Sequence, residues 1–224
     1  MNNIHPTAII DSKANIAENV LIGAYSIIGT NVTIETGTIV KSHVVIEGRT
    51  IIGKNNIIFP FASIGLAPQD LKFKGEDSSL VIGDNNQIRE HCTIHRGTKD
   101  GAMTTKIGDN CLFMVGSHIA HDCIIGNEVI LANNATLAGH VEVGDFVIIG
   151  GLSAVQQFVR VGSHTMIGGV SAVVRDLVPY GLATSDRAHL EGLNLVGMNR
   201  RGFDKKQSLE ANKVIKQIFD DNSK

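Results

Sequence analysis

The chain has no tryptophan, and Phe and Tyr together make up only 4% of its 224 residues. A core built without large rings must be narrow and filled by branched aliphatic side chains. Charge of one sign is also lacking. The formal net charge is −2, which leaves no electrostatic footprint for a nucleic-acid binder. No apolar run approaches the roughly 18 residues that a membrane-crossing helix needs, so no membrane span is expected. The opening MNNIHPTAII has neither the charged start nor the long apolar stretch of a secretion signal. Cysteine is scarce: Cys92, Cys111 and Cys123 are odd in number and lack metal-type spacing. These absences point to a reduced, cytoplasmic protein in which Cys123 is a small core filler.

What is present is a hexad. From Ile107 through Phe113, Ile119 and Ile125 to Val173, every sixth residue is apolar, and the next is often Gly. A residue that is small or apolar recurs four places later, as at Cys123, Val129 and Ala135. A helix of period 3.6 cannot keep such a stripe on one face, and a flat strand does not tolerate a glycine at every sixth place. A coil that turns a corner every six residues accommodates both. Three hexads close one coil, and stacked coils form a parallel β-helix, an all-β solenoid. The hexads begin at Ile4 and break twice, near 66–80 and 97–106. Polar excursions from a regular prism are where function is expected.

The repeat stops near Pro179. The expected organisation is a β-helix over 1–178 and a small helical tail over 179–224. Tyr180–His189 reads as a crossing loop and Leu190–Arg200 as a short helix. Asp204 reads as an N-cap before the stripe Leu209, Ile215, Ile218, Phe219. Surplus isoleucines flanking the hexads, such as Ile9, Ile27, Ile51 and Ile57, suggest that faces of the prism are covered by further copies.

Histidines gather in the middle: His91, His95, His118, His121 and His140, with His164 further on. Stacking by an 18-residue coil places His121 under Gly139 and Gly139 under Gln157, with Asp122 under His140. Adjacent strands lie about 4.8 Å apart, so a glycine above His121 leaves an empty shelf. The set His121, Asp122, Gly139, His140 and Gln157 then forms one outward-facing patch with a notch. A histidine is the natural general base for a hydroxyl, and the adjacent carboxylate fixes its tautomer. No Ser or Cys lies in a nucleophile elbow, so no covalent acyl-enzyme is expected. The rival is a zinc enzyme like the γ-class carbonic anhydrases, which share the coil architecture but space their ligands more widely than His118-x-x-His121.

The segment HIAHDCIIGNEVILANNATLAGHVEVGDFVIIGG (His118–Gly151) closely resembles the acyl-carrier-protein–UDP-N-acetylglucosamine O-acyltransferases of lipid A biosynthesis. So do HPTAI at His5, KSHVVIEG at Lys41, FASIG at Phe61, QDLKFKGE at Gln69, TIHRGT at Thr93 and RRGF at Arg200. The match runs from about His5 to Phe203. QDLK, HIAHD and RRGF in that order make the signal specific.

The resemblance implies a homotrimer of left-handed parallel β-helices with clefts between subunits. That handedness opposes the usual right-handed crossover. It implies transfer of a 3-hydroxyacyl chain from acyl carrier protein to the 3-hydroxyl of the sugar nucleotide, without a cofactor or metal. His121 becomes the base and Asp122 its orienting group, while His118 holds the sugar or the oxyanion. His95 belongs to the same histidine-rich centre. Asp70 and Lys72 grip the sugar, and His140 and Gln157 line the cleft at the thioester. Asn194 and Arg201 hold the nucleotide beside Arg200, with Arg201 on the phosphates. Gly169 caps the acyl groove and leaves room for a long chain. Arg200, Lys205 and Lys206 are candidates for steering the acidic carrier. The chain departs from the pattern at Gln156, where relatives carry His, and at Val196, often acidic. An acceptor with a 3-amino sugar, giving an amide, is the alternative within the family. The related late N-acyltransferase carries an extra N-terminal domain, for which hexads starting at Ile4 leave no space.

Overall fold

The computed structural model describes residues 3–184 and 189–220. Each hexad is a two-residue strand followed by a corner, as in Leu112–Phe113, His118–Ile119 and Ile124–Ile125. Every third strand pairs in parallel, so the chain winds around three sheets of eleven, nine and eight strands among the described residues. Register confirms the 18-residue coil: Leu112 pairs with Ile130, and Ile130 with Ile148. The winding is that of a left-handed parallel β-helix.

The first residue of each hexad and the fifth point inward. Ile107, Phe113, Ile119 and Leu131 are buried, as are Cys111, Cys123, Val129 and Ala135 between them. Phe113 is the one fully buried phenyl ring among the described residues. Burying each Ile, Leu or Val contributes roughly 1.5–3 kcal/mol of transfer free energy, repeated along the whole prism. Three edges of the prism carry the corner turns. The fourth residue of most hexads adopts a positive φ there, including Asn55, Asn85 and Asn110 on one edge. Asparagine tolerates that conformation. Asp122 (φ 58°), His140 (φ 63°) and Phe158 (φ 66°) occupy it on another edge, held by the coils above and below.

Inside, a polar ladder closes one corner. The Asn56 side chain donates to the Gly83 carbonyl (2.9 Å), and Asn86 donates to Gly108 (3.0 Å) while accepting from the Cys111 amide (2.7 Å). The two excursions cover residues 67–78 and 96–103 and touch one another. Lys72 pairs with Asp100 (3.5 Å), the Lys99 amide donates to Glu76 (3.3 Å), and Arg96 lies over Phe73.

Beyond Pro179 the sheet continues where a loop and a helix are expected. Gly181–Thr184 extends the first sheet, and His189–Leu193 returns antiparallel beside it. The helix α1 is therefore only Leu195–Arg200. Part of the expected crossing loop, 185–188, lies outside the described residues. The helix α2, Lys205–Asp220, starts as anticipated, with Asp204 accepting from the Gln207 amide (2.9 Å).

Candidate active site

The histidines sort onto different parts of the prism. His91 stacks on Phe61 in an edge ladder with His43 and Tyr25. His164 is stacked between Phe146 and Tyr180 on another edge. Neither joins the central group. On the second sheet and the corner after it, His95 meets His118 edge-on with ring centroids 5.0 Å apart. His121 meets His140 in the same way, also at 5.0 Å.

His121 Nδ1 lies 2.9 Å from Asp122 Oδ2. With Nδ1 donating to the carboxylate, Nε2 carries the lone pair. That nitrogen faces Gly139, where an added Cβ would stand 2.6 Å from it. The His121 ring itself fills the space over Gly139, so the empty shelf expected from coil arithmetic is not left open, and glycine is required there because a side chain would strike the ring.

Asp122 differs from expectation. It points away from the prism's core, yet it is only 4% exposed. The second excursion folds over it: the Thr98 amide and hydroxyl both donate to its carboxylate, and Thr105 Oγ1 accepts from its amide. The patch is therefore half covered, with His121 and His140 partly exposed and Gln156 and Gln157 exposed at its rim. His140 stacks on Phe158 at 4.4 Å, so a ring covers one face of its imidazole.

Burial holds the neighbouring imidazoles neutral. It pushes His95 down to about 4, helped by His118 and His121. It lowers His118 as well, with His121 adding to the effect. Burial also lowers His140, against the pull of Asp122. The His118 Nδ1 shares a 2.6 Å hydrogen bond with the Thr93 hydroxyl, which fixes the ring. Donor atoms of His121, Asp122 and His140 come within 4.8 Å of one another, the only such group among the described residues. His118 stands outside that group.

Asp70 and Lys72 lie on the first excursion. The Asp70 carboxylate accepts from the Lys72 amide (2.9 Å), and its charge reaches His140. Among the described residues no hydrogen bond or ion pair joins them to the His121–Asp122 dyad. The Asn194 side chain caps α1 by accepting from the Gly197 amide and donates to the His164 carbonyl. Arg201 lies 3.5 Å over the Phe146 ring, in a cavity of ≈ 290 Å³ shared with His164 and Arg200. Neither arginine has a salt bridge among the described residues. This cavity borders the first sheet through Ile148, whereas the dyad adjoins the second sheet, so one chain does not join them. Gly169 is exposed and stacks above Gly151, whose carbonyl an added Cβ would meet at 3.2 Å. Between this pair and the dyad, the second sheet presents Thr136, Ala154 and Ala172 outward.

Thr93, Thr98, Thr105 and Phe158 were not visible as site residues. The sole sequence signal for Thr98 was its position in a break of the repeat.

Residues 13–48 and 104–139 match the family described as bacterial transferase hexapeptide (six repeats). Residues 176–224 match the one described as Udp N-acetylglucosamine O-acyltransferase, domain 2. The acyl-[acyl-carrier-protein]–UDP-N-acetylglucosamine O-acyltransferase of Aliarcobacter butzleri is 55% identical over 98% of this chain and 85% of its own length. That of Rickettsia canadensis is 59% identical over 97% and 83%. The structure of LpxA from Acinetobacter baumannii superposes with a TM-score of 0.93 at 52% identity, over 95% of this chain and 83% of that one. Among the described residues no helix is long and apolar enough to cross a membrane. With this coil, this His–Asp pair and relatives that align along nearly its whole length, the chain belongs to the acyl-[acyl-carrier-protein]–UDP-N-acetylglucosamine O-acyltransferase family.

Proposed function

We propose that this protein transfers an (R)-3-hydroxyacyl chain from acyl carrier protein to the 3-hydroxyl of UDP-N-acetylglucosamine, the first step of lipid A biosynthesis, in the cytoplasm. The observation that carries the mechanism is the His121–Asp122 pair seated against Gly139. His121 Nε2 takes the proton of the sugar hydroxyl as its oxygen bonds to the thioester carbonyl carbon. The tetrahedral intermediate collapses, the C–S bond breaks, and the imidazolium returns the proton to the leaving thiolate. Asp122 holds the tautomer and offsets the transient positive charge. His118, kept neutral by burial, can donate a hydrogen bond to the sugar or the oxyanion. His95 backs it edge-on.

Asp70 and Lys72 grip the sugar from the first excursion. His140, Gln156 and Gln157 line the thioester end. Gln156 donates and accepts but does not titrate, so it serves the donor only by hydrogen bonding. Asn194 and Arg201 hold the nucleotide, with Arg201 on the phosphates and Arg200 beside them. Gly169 marks the far end of the acyl groove.

The nucleotide cavity and the dyad occupy different faces of one prism, which supports a homotrimer whose clefts unite them. The outer column of the first sheet fits a covered surface: Leu21, Ile39, Ile57, Leu112, Ile130 and Ile148 stack along it. Arg200, Lys205 and Lys206 are exposed and suit the acidic carrier.

The test is acyl transfer with UDP-N-acetylglucosamine and a series of (R)-3-hydroxyacyl carrier proteins, with the 3-amino sugar nucleotide as a parallel acceptor. His121→Ala should lose on the order of 10² to 10⁴ in rate. Undiminished transfer by His121→Ala would place the base elsewhere.

A further inference from the structure

The second excursion is built around one buried carboxylate. Asp122 Oδ2 accepts from three donors: His121 Nδ1 at 2.9 Å, the Thr98 hydroxyl at 2.6 Å and the Thr98 amide at 3.0 Å. The same amide also reaches Oδ1 at 3.1 Å. Thr98 is 2% exposed, so water does not replace these bonds. The loop closes on Thr98 itself, whose carbonyl accepts from the Gly101 and Met103 amides, both at 3.2 Å.

Two glycines let the backbone approach this closely. An added Cβ at Gly101 would stand 2.3 Å from the carboxyl carbon of Asp122. One at Gly97 would stand 2.8 Å from Oδ1 and still nearer the Thr104 amide. A loop that only connected two strands would have no need of such contact with one aspartate.

We propose that Thr98 is a positioning residue for acyl transfer: its hydroxyl and amide lock the Asp122 carboxylate so that Oδ2 faces His121 Nδ1 and the ring stays seated against Gly139 with Nε2 free to act. Asp122 has χ1 and χ2 free to turn, and its contact with His121 is a single hydrogen bond. Three bonds from Thr98 remove that freedom before substrate arrives. The lock also reaches the sugar-gripping loop, because Lys99 and Asp100, next to Thr98, bond to Glu76 and Lys72.

This inference rests on His121 as the base, and the experiment separates the two. Thr98→Val keeps the shape and removes the hydroxyl; Thr98→Ser keeps the hydroxyl. Steady-state transfer is measured for both, for His121→Ala, for Asp122→Asn, and for Thr98→Val combined with Asp122→Asn. A charge-assisted bond supports an expected loss on the order of 10- to 100-fold in kcat for Thr98→Val, with KM for the sugar nucleotide nearly unchanged. Thr98→Ser should recover most of kcat. In the Asp122→Asn background, Thr98→Val should cost no more, since there is no carboxylate left to position.

Thr98→Ala repeats the measurement if Thr98→Val does not fold. Wild-type kcat in Thr98→Val would overturn the proposal, as would an equal loss in Thr98→Ser or a full further loss in the Asp122→Asn background. Activity surviving in His121→Ala would instead refute the base, whatever Thr98 does.

Discussion

Gly139→Ala isolates the geometry of the base without touching a titratable group. The added Cβ would lie 2.5 Å from His121 Cε1, 2.6 Å from Nε2 and 3.1 Å from Nδ1. Ordinary contact begins near 3.4 Å, so the ring must retreat by roughly 0.9 Å (3.4 − 2.5). It cannot retreat evenly, because Asp122 holds its other edge at 2.9 Å and is itself clamped. The ring therefore swings toward the cleft, and Nε2 leaves the line to the acceptor hydroxyl. A misplacement of about 1 Å costs on the order of 100-fold in rate, equivalent to about 2.7 kcal/mol of transition-state stabilisation. Stability should fall much less, by about 1 kcal/mol or a few degrees in Tm, since the ring moves into solvent rather than into the core. The assay is kcat by release of the carrier thiol, run beside a melting curve. Gly29→Ala is the control, because its Cβ would meet nothing closer than Glu47 Cα at 3.4 Å. If Gly139→Ala kept kcat within about twofold of wild type, the seat of the His121 ring on Gly139 would not govern transfer.

Three further outcomes follow from other parts of the molecule. Asn86→Leu fills the interior corner but orphans the Cys111 amide and the Gly108 carbonyl; urea unfolding should show a loss on the order of 3 kcal/mol. His95 is held down at about 4 when folded against 6.5 when unfolded. The stability this group contributes is full above pH 6.5 and is lost as pH falls toward 4, by about 2 kcal/mol at pH 5, and His95→Gln should flatten that part of the unfolding profile. Gly169→Met should reduce turnover of the longest acyl donors far more than the shortest, read from a mixed-donor competition; equal effects on all lengths would remove Gly169 from the groove's end.

Much of this was legible in the residues, and the limits have physical causes. The hexad is visible because each coil repeats the same inward slots, and the contact of His121 with Gly139 follows from adding 18 to His121. That arithmetic holds only within an uninterrupted run. His91 follows Gln87–Ile88, a strand of the first sheet, so it turns the edge beside Phe61, whereas His121 follows a strand of the second sheet. The strands Gly181–Thr184 and His189–Leu193 escape the hexad rule because the second runs antiparallel and no longer follows the coil. The burial of Asp122 was hidden for a related reason. Its cover, residues 97–103, has no periodicity, and what it touches depends on a fold-back that no spacing encodes. Asp204 could be read because a cap depends only on residues three positions away.

The prism also explains why a site of this kind would be divided between subunits. Each coil is fixed by the one above and below, and small side-chain shifts are all it can supply. A groove deep enough for a nucleotide and an acyl chain cannot be pressed into such a surface without breaking the hexads. The chain departs from the coil in two excursions and a helical end, and each carries a separate part of the proposed site. The excursions clamp Asp122 and present Asp70 and Lys72 near the second sheet. The helical end places Arg200 and Arg201 beside the first sheet. A rigid triangular rod can unite those faces only by setting a second rod against the first. Assembly would then create the cleft, and a substitution that separates the subunits, such as Ile130→Lys on the first sheet, should abolish transfer while leaving the His121–Asp122 pair and the coil intact.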